Sequence, residues 1–179
     1  MPDATPLRTA AVLVPLLRDD LGTWRLLLVV RFDDGSLHGG QLGLPGGRPE
    51  PGDADLRETA LREAEEEIGL ARASVEVLAE LPPLDTQVTG WRVHPFVGLV
   101  PWRTDWVLQE SEIVGVLTPT VRQLADPTSR STLPFTSVRH PEPLLVEGID
   151  LEGHVLWGMT LRLLDAFLPR LLAGEWTIP

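Results

Sequence analysis

The chain has 179 residues, 26 acidic and 15 basic, for a net charge of -11. That balance argues against non-specific nucleic-acid binding, and the absence of cysteine excludes a disulfide framework and a thiol nucleophile. Hydrophobic residues make up 43% and the mean hydropathy is +0.05, values of a globular domain with a full core.

No apolar run approaches the roughly 20 residues that a membrane helix needs. The N-terminus, MPDATPLRTA, has no apolar signal-peptide core. We therefore expect one domain over 1–179, with its core at about 8–172, in the cytoplasm. Lysine, asparagine and tyrosine are all absent. Their codons are AT-rich, so this reads as a GC-rich genome, not as function.

In chain order, Ala10 to Leu17 is an apolar run that predicts a strand, and Trp24 to Phe32 predicts a second, buried one. The polar turn residues between them make the two a hairpin. Gln41 to Leu44 reads as a short strand entering Pro45-Gly46-Gly47, where the glycines permit a sharp turn and close backbone approach to a metal or phosphate. A long helix follows over Asp55 to Ile68, capped by Asp53 or Asp55 and stopped by Gly69. Val75 to Leu81 predicts a strand. Trp91 to Val100 predicts another, and Pro95 inside it suggests an edge or a bulge. Glu112 to Leu117 predicts a strand and Pro119 to Ala125 a short helix. Asp126 to Thr132 reads as loop, with weaker strands at Leu133 to Val138 and Pro143 to Val146. Gly158 to Leu172 closes the chain's pattern as a helix, with Leu161, Leu164, Phe167 and Leu168 on one stripe.

The central helix carries two faces. Leu61, Ala64 and Ile68 stand at i, i+3 and i+7, an apolar face fit to dock on a sheet. Glu63, Glu66 and Glu67 stand at i, i+3 and i+4 and share a second face. Crowded carboxylates repel each other unless a cation sits among them, and hard divalent cations prefer carboxylate oxygen. An acidic run such as Glu65-Glu66-Glu67 is by itself an ordinary solvated helix face.

The pattern around that run is more specific. Arg62 to Leu70, REAEEEIGL, resembles the second half of the Nudix box, R-E-U-x-E-E-x-G-U with U aliphatic. The first half departs: five residues after Gly47 comes Asp53 where the box has glutamate, and eight residues, not seven, separate it from Arg62. Leu27 to Gly47 (LLVVRFDDGSLHGGQLGLPGG) is similar to the coenzyme A pyrophosphatase branch of that family, as are Leu81 to Pro101 and His154 to Thr160. Arg31, His38, Gly40, Gln41, Pro45, Gly46 and Gly47 fit its signature, whereas Val29, Phe32, Ser36 and Leu44 depart from it.

The resemblance implies an α/β fold, the Nudix α/β/α sandwich, with a mixed sheet flanked by helices. It implies Mg2+ or Mn2+ held by Glu63, Glu66 and Glu67, with the Gly47 carbonyl as a further ligand. Arg62 is either catalytic or, as the simpler reading, orients the neighbouring carboxylates by bidentate pairing, and Glu112 is an extra catalytic carboxylate or a solvated strand end. Arg31 and His38 are candidates for phosphate contact, with Gln41, Gly46 and Gly47 in the same substrate-binding stretch. Trp157 reads as a core anchor before it reads as a stacking platform for a base. Three functions compete: hydrolysis of the pyrophosphate in coenzyme A, hydrolysis of ADP-ribose, dinucleotides or nucleoside triphosphates, and a catalytically silent binding module. The partner implied is a small nucleotide-type substrate, with the protein a monomer or homodimer.

Overall fold

The computed structural model of the chain describes residues 7–36, 38–86 and 90–175. The polar stretch Asp85 to Gly90 reads as a loop from its sequence, and its residues 87–89, like both ends of the expected 1–179 domain, lie outside the described residues.

In chain order the strands are β1 (Arg8–Arg18), β2 (Trp24–Leu26), β3 (Leu28–Arg31), β4 (Leu42–Gly43) and β5 (Gly46–Gly47). Helix α1 (Leu56–Ile68) follows, then β6 (Glu76–Glu80), β7 (Leu84–Asp85), β8 (Trp91–Leu99) and β9 (Ile113–Leu117). Helix α2 (Val121–Ala125), β10 (Arg130–Phe135), β11 (Leu144–Leu151), β12 (His154–Trp157) and α3 (Gly158–Leu172) complete the order.

β1 is the axis. It runs parallel to β8, from Arg8 opposite Trp91 to Leu16 opposite Leu99, and antiparallel to β2 and β5. The strand order is β2-β1-β8-β6, with β5 on β1 and β7 on β8. Two further sheets among the described residues run β4-β3-β9 and β10-β11-β12.

Alternation along β1 explains why its sequence is apolar without a break. Ala11, Leu13 and Leu17 share one core with Ala60, Leu61, Ala64 and Ile68 of α1. Val12, Val14 and Leu16 share the other with Leu161, Leu164, Phe167 and Leu168 of α3. Both faces of the sheet are therefore covered by helices, and each strand position is buried whichever way it points. This is the α/β/α layering that the sequence led us to expect.

Several boundaries moved. The run at 24–32 is two strands: β2 pairs with β1, while β3 pairs with β4 and β9 in another sheet. The change falls at Leu27, whose N–H donates to the Pro15 carbonyl at 3.0 Å. Because residues 26–29 are all fully buried, hydrophobicity left no mark at the crossing.

Pro95 lies in a central strand, not at an edge. Its carbonyl accepts from the Leu81 N–H at 2.9 Å, so the side that would carry its own N–H faces the break between β6 and β7. The β1 ladder loses nothing. The bulge is in β6, between Val77 and Ala79. The predicted strand at Val75 to Leu81 shortens to β6, after one 3-10 turn at Arg72–Ser74. The short helix begins at Val121, capped by Thr120, and Pro119 stands before the cap.

The region after α2 holds more sheet than its sequence suggested. A 3-10 turn (Pro127–Ser129) and β10 take up most of the expected loop, and β11 with β12 forms a hairpin. The hairpin's turn has Glu152 and Gly153 at φ of 57° and 85°.

Candidate active site

α1 is held where its caps put it. Asp55 is the N-cap, its side chain accepting from the Glu58 N–H at 2.8 Å, and Gly69 ends the helix in the left-handed region at φ 67°. Asp53, the other cap candidate, does something else.

Ahead of the helix, Gly46 and Gly47 form β5 rather than a free turn. Gly46 sits at φ 155°, and a Cβ there would strike the Ala11 carbonyl and the Val12 backbone. A Cβ on Gly47 would strike the Glu63 carboxylate. The glycines thus let the strand press between β1 and α1, and they bring the backbone against the carboxylates.

Arg62 is 7% exposed and saturated. Its Nε and one terminal nitrogen bind both oxygens of Asp53 at 3.0 and 3.2 Å. That same terminal nitrogen also contacts Glu63 at 3.0 Å and the Arg48 carbonyl at 2.8 Å, and the other terminal nitrogen donates to Glu66 at 2.9 Å. Asp53 also accepts from the Glu50 N–H and the Thr59 hydroxyl. The Arg62 fork, first among these donors, holds the Asp53 carboxyl down at about 2. The carboxylate displaced from the box spacing is therefore the partner of the box arginine.

Glu67 has the opposite surroundings. It is 2% exposed, so it does not share the solvated helix face that its spacing implied; Glu66, with a side chain 55% exposed, does. Its contacts are the Gly46 N–H at 3.1 Å and Arg31 at 3.4 Å. Burial dominates, and the charges of Glu63 and Glu112 add to it, pushing Glu67 up to about 7 against the pull of Arg31. Glu63 is also raised, again chiefly by burial, with Arg62 opposing.

These groups line one open cavity of about 700 Å³. Of the residues singled out by sequence, Arg31, Gly46, Gly47, Arg62, Glu63, Glu66, Glu67 and Glu112 line it. His38 and Gln41 do not. They sit in the loop before β4, with the imidazole Nδ1 3.4 Å from the amide oxygen. Arg48, Glu50 and Gln109 line it too and had no distinguishing signal, apart from the closeness of Arg48 and Glu50 to the glycine pair. Gln109 arrives from a loop far along the chain, its N–H capping the Glu67 carbonyl at 3.0 Å. Trp157 packs 5.1 Å from the Phe135 ring, in the sheet of β10 to β12.

Among the described residues no three acidic or histidine side chains converge on one point. Arg62 draws Glu63 and Glu66 to itself, while Glu67 turns to Gly46. The donor chemistry still suits a hard divalent cation, because carboxylate oxygens of Glu63, Glu66 and Glu67 border one cavity with Gly47. Glu63 and Glu67 are raised chiefly by burial, with smaller contributions from the neighbouring glutamates, and a cation would favour their charged forms.

Solved structures share this architecture. A MutT/nudix family protein from Enterococcus faecalis superposes with a TM-score of 0.60 at 18% identity, covering 98% of this chain and 66% of that one. The Nudix hydrolase RenU from M. smegmatis gives 0.55 at 19% identity, over 68% of this chain and 76% of that one. The fold is thus the Nudix sandwich. The NUDIX domain family model matches residues 7–135, and the chain belongs to that family. A relative, the uncharacterized Nudix hydrolase NudL of Yersinia enterocolitica, is 45% identical over 107 residues, 60% of this chain and 53% of the relative. The chain spans about half the length of the relatives it matches. No described helix is long and apolar enough to cross a membrane.

Proposed function

We propose that this chain hydrolyses the pyrophosphate bond of a nucleoside diphosphate-linked small molecule, with Mg2+ or Mn2+, and that the substrate is coenzyme A or an acyl derivative. The products are 3',5'-ADP and 4'-phosphopantetheine, or acyl-4'-phosphopantetheine from an acyl derivative. The observation that carries the hydrolase reading is the buried Glu67, raised to about 7, beside Glu63 and Glu66 in a cavity built on the Nudix motif. A silent module has no use for three carboxylates gathered at one cavity. Support for the substrate is the stretch from Leu27 to Gly47, which forms β3 to β5 and walls the same cavity through Arg31, Gly46 and Gly47.

Glu63, Glu66 and Glu67 would hold the metal, with the Gly47 carbonyl as a further donor. A bound divalent cation neutralises phosphoryl charge and lowers the pKa of a coordinated water. The protein's own groups do the rest. Arg62 fixes Glu63 and Glu66 through its fork, and Asp53 fixes Arg62. Glu112 lines the cavity beside β9, exposed enough to take a proton from the attacking water. Arg31, 3.3 Å from the Gly46 carbonyl and 3.4 Å from Glu67, is placed to meet the diphosphate under attack, and we assign it there rather than to the 3'-phosphate. The cytoplasm is the compartment this reading assigns.

A substrate panel with Mg2+ and with Mn2+ tests the reading. Coenzyme A should give a higher kcat/KM than dephospho-CoA, ADP-ribose, NADH and dGTP. ADP-ribose or a nucleoside triphosphate ahead of coenzyme A would move the substrate to the second class. No turnover on any of them would remove the hydrolase reading.

A further inference from the structure

Three arginines line the cavity, and they are not equivalent. Arg62 is saturated by Asp53, Glu63, Glu66 and a carbonyl. Arg31 lies against Glu67 and the Gly46 carbonyl. Arg48 differs: its backbone carbonyl is taken by Arg62 at 2.8 Å, while its guanidinium lies over the Trp91 ring, 5.1 Å from the centroid. Among the described residues it makes no ion pair with a carboxylate within 4.0 Å.

That arrangement has chemical content. A guanidinium held over an aromatic ring still has N–H groups to offer an oxyanion, and Arg48 lines the cavity. The ring braces a side chain that would otherwise lose much rotamer freedom on binding. The brace is itself fixed, since Trp91 opens β8 directly opposite Arg8 of β1, and the Arg8 guanidinium stacks 4.1 Å from the same ring. Arg48 therefore brings positive charge to the cavity wall in a chain of net charge -11.

We infer that Arg48, braced by Trp91, binds a substrate phosphate beyond the diphosphate being cleaved. The inference rests on the reading of the cavity as a diphosphate-hydrolase site and deepens it: the substrate class is one with a separate phosphate monoester. Arg48 is the binding residue, and Trp91 is a positioning residue that acts through it.

The test uses ligands that differ by one phosphate. Calorimetric titration of the whole protein with 3',5'-ADP and with AMP should show the bisphosphate binding at least about tenfold more tightly, the size expected of one charge-assisted bidentate contact. Arg48→Ala should shrink that preference to about twofold or less, and Arg48→Lys should recover only part of it, because an ammonium lacks the fork. Trp91→Leu should give an intermediate preference. In turnover, Arg48→Ala should raise KM for coenzyme A more than for dephospho-CoA. A wild-type protein without preference for the bisphosphate overturns the inference. So does an Arg48→Ala protein that folds normally by its melting curve and keeps the preference. Failure of the wild type to cleave coenzyme A, with the preference present and lost in Arg48→Ala, sinks the proposed reaction and leaves Arg48 as the phosphate site.

Discussion

Half-buried Asp53 and buried Glu67 are carboxylates bordering α1, and their environments drive them in opposite directions. Asp53 receives the fork of Arg62, a backbone N–H and a hydroxyl, and stays ionised down to about 2. Glu67 receives one backbone N–H and a longer contact from Arg31, faces two other glutamates, and rises to about 7. The first carboxylate is finished structurally. The second is left short of positive charge, in a cavity open to solutes. Deeper burial and a shorter supply of donors together separate Glu67 from Asp53.

The largest effect that could break this contrast is on turnover. Glu67→Gln should lower kcat/KM by about 10²–10³ or more, the scale seen when one charge-stabilising group is removed. Its melting temperature in metal-free buffer should hold or rise, because a poorly compensated buried charge has been removed. Activity within tenfold of wild type would contradict the role, and a collapsed melting curve would make Glu67 a structural residue like Asp53.

Asp53→Ala should behave in the reverse way. The Arg62 fork loses its main acceptor, and chemical denaturation should report a loss of about 1.5–3 kcal/mol, as for hydrogen bonds to charged groups. Metal affinity should weaken secondarily, since Arg62 then holds Glu63 and Glu66 less firmly.

The pH profiles of stability in chelator should also diverge. Asp53 has its folded value below the ordinary 3.8, so its contribution is full above that value and is lost as pH falls toward about 2. Glu67 has its folded value above the ordinary 4.5, so the folded state binds more protons between 4.5 and about 7. Its share of the stability therefore falls as pH rises through that window. Melting curves from pH 4 to 8 should show that decline, and Glu67→Gln should flatten it. An unchanged slope in the variant would place the titration elsewhere.

The smallest effect concerns the support of Asp53. Thr59 is fully buried and donates to Asp53 at 2.9 Å. Thr59→Val should cost roughly 1 kcal/mol in denaturation while leaving the shape intact. A neutral result would leave Arg62 as the main anchor of Asp53.

How much of this was legible varies by residue. The apolar face of α1 at Leu61, Ala64 and Ile68 and the shared spacing of Glu63, Glu66 and Glu67 follow from helical periodicity, and the Gly69 stop from residue type, while the N-cap stayed open between Asp53 and Asp55. Periodicity acts over a few residues, so the sequence alone determines it. The family motif was legible as a resemblance carried by contiguous residues, Arg62 to Leu70. Tertiary structure alone decided that Asp53 would close on Arg62, that Glu67 would be buried while Glu66 stayed wet, and that Glu112, Gln109 and Trp91 would meet Arg48 and α1 from distant parts of the chain. It also divided the apolar run at 24–32 between two sheets, since every residue from 26 to 29 is buried on one side or the other and no period marks the switch. Solvent access and the sum of surrounding charges set what a carboxylate does, and both are properties of neighbours that the chain brings together only on folding.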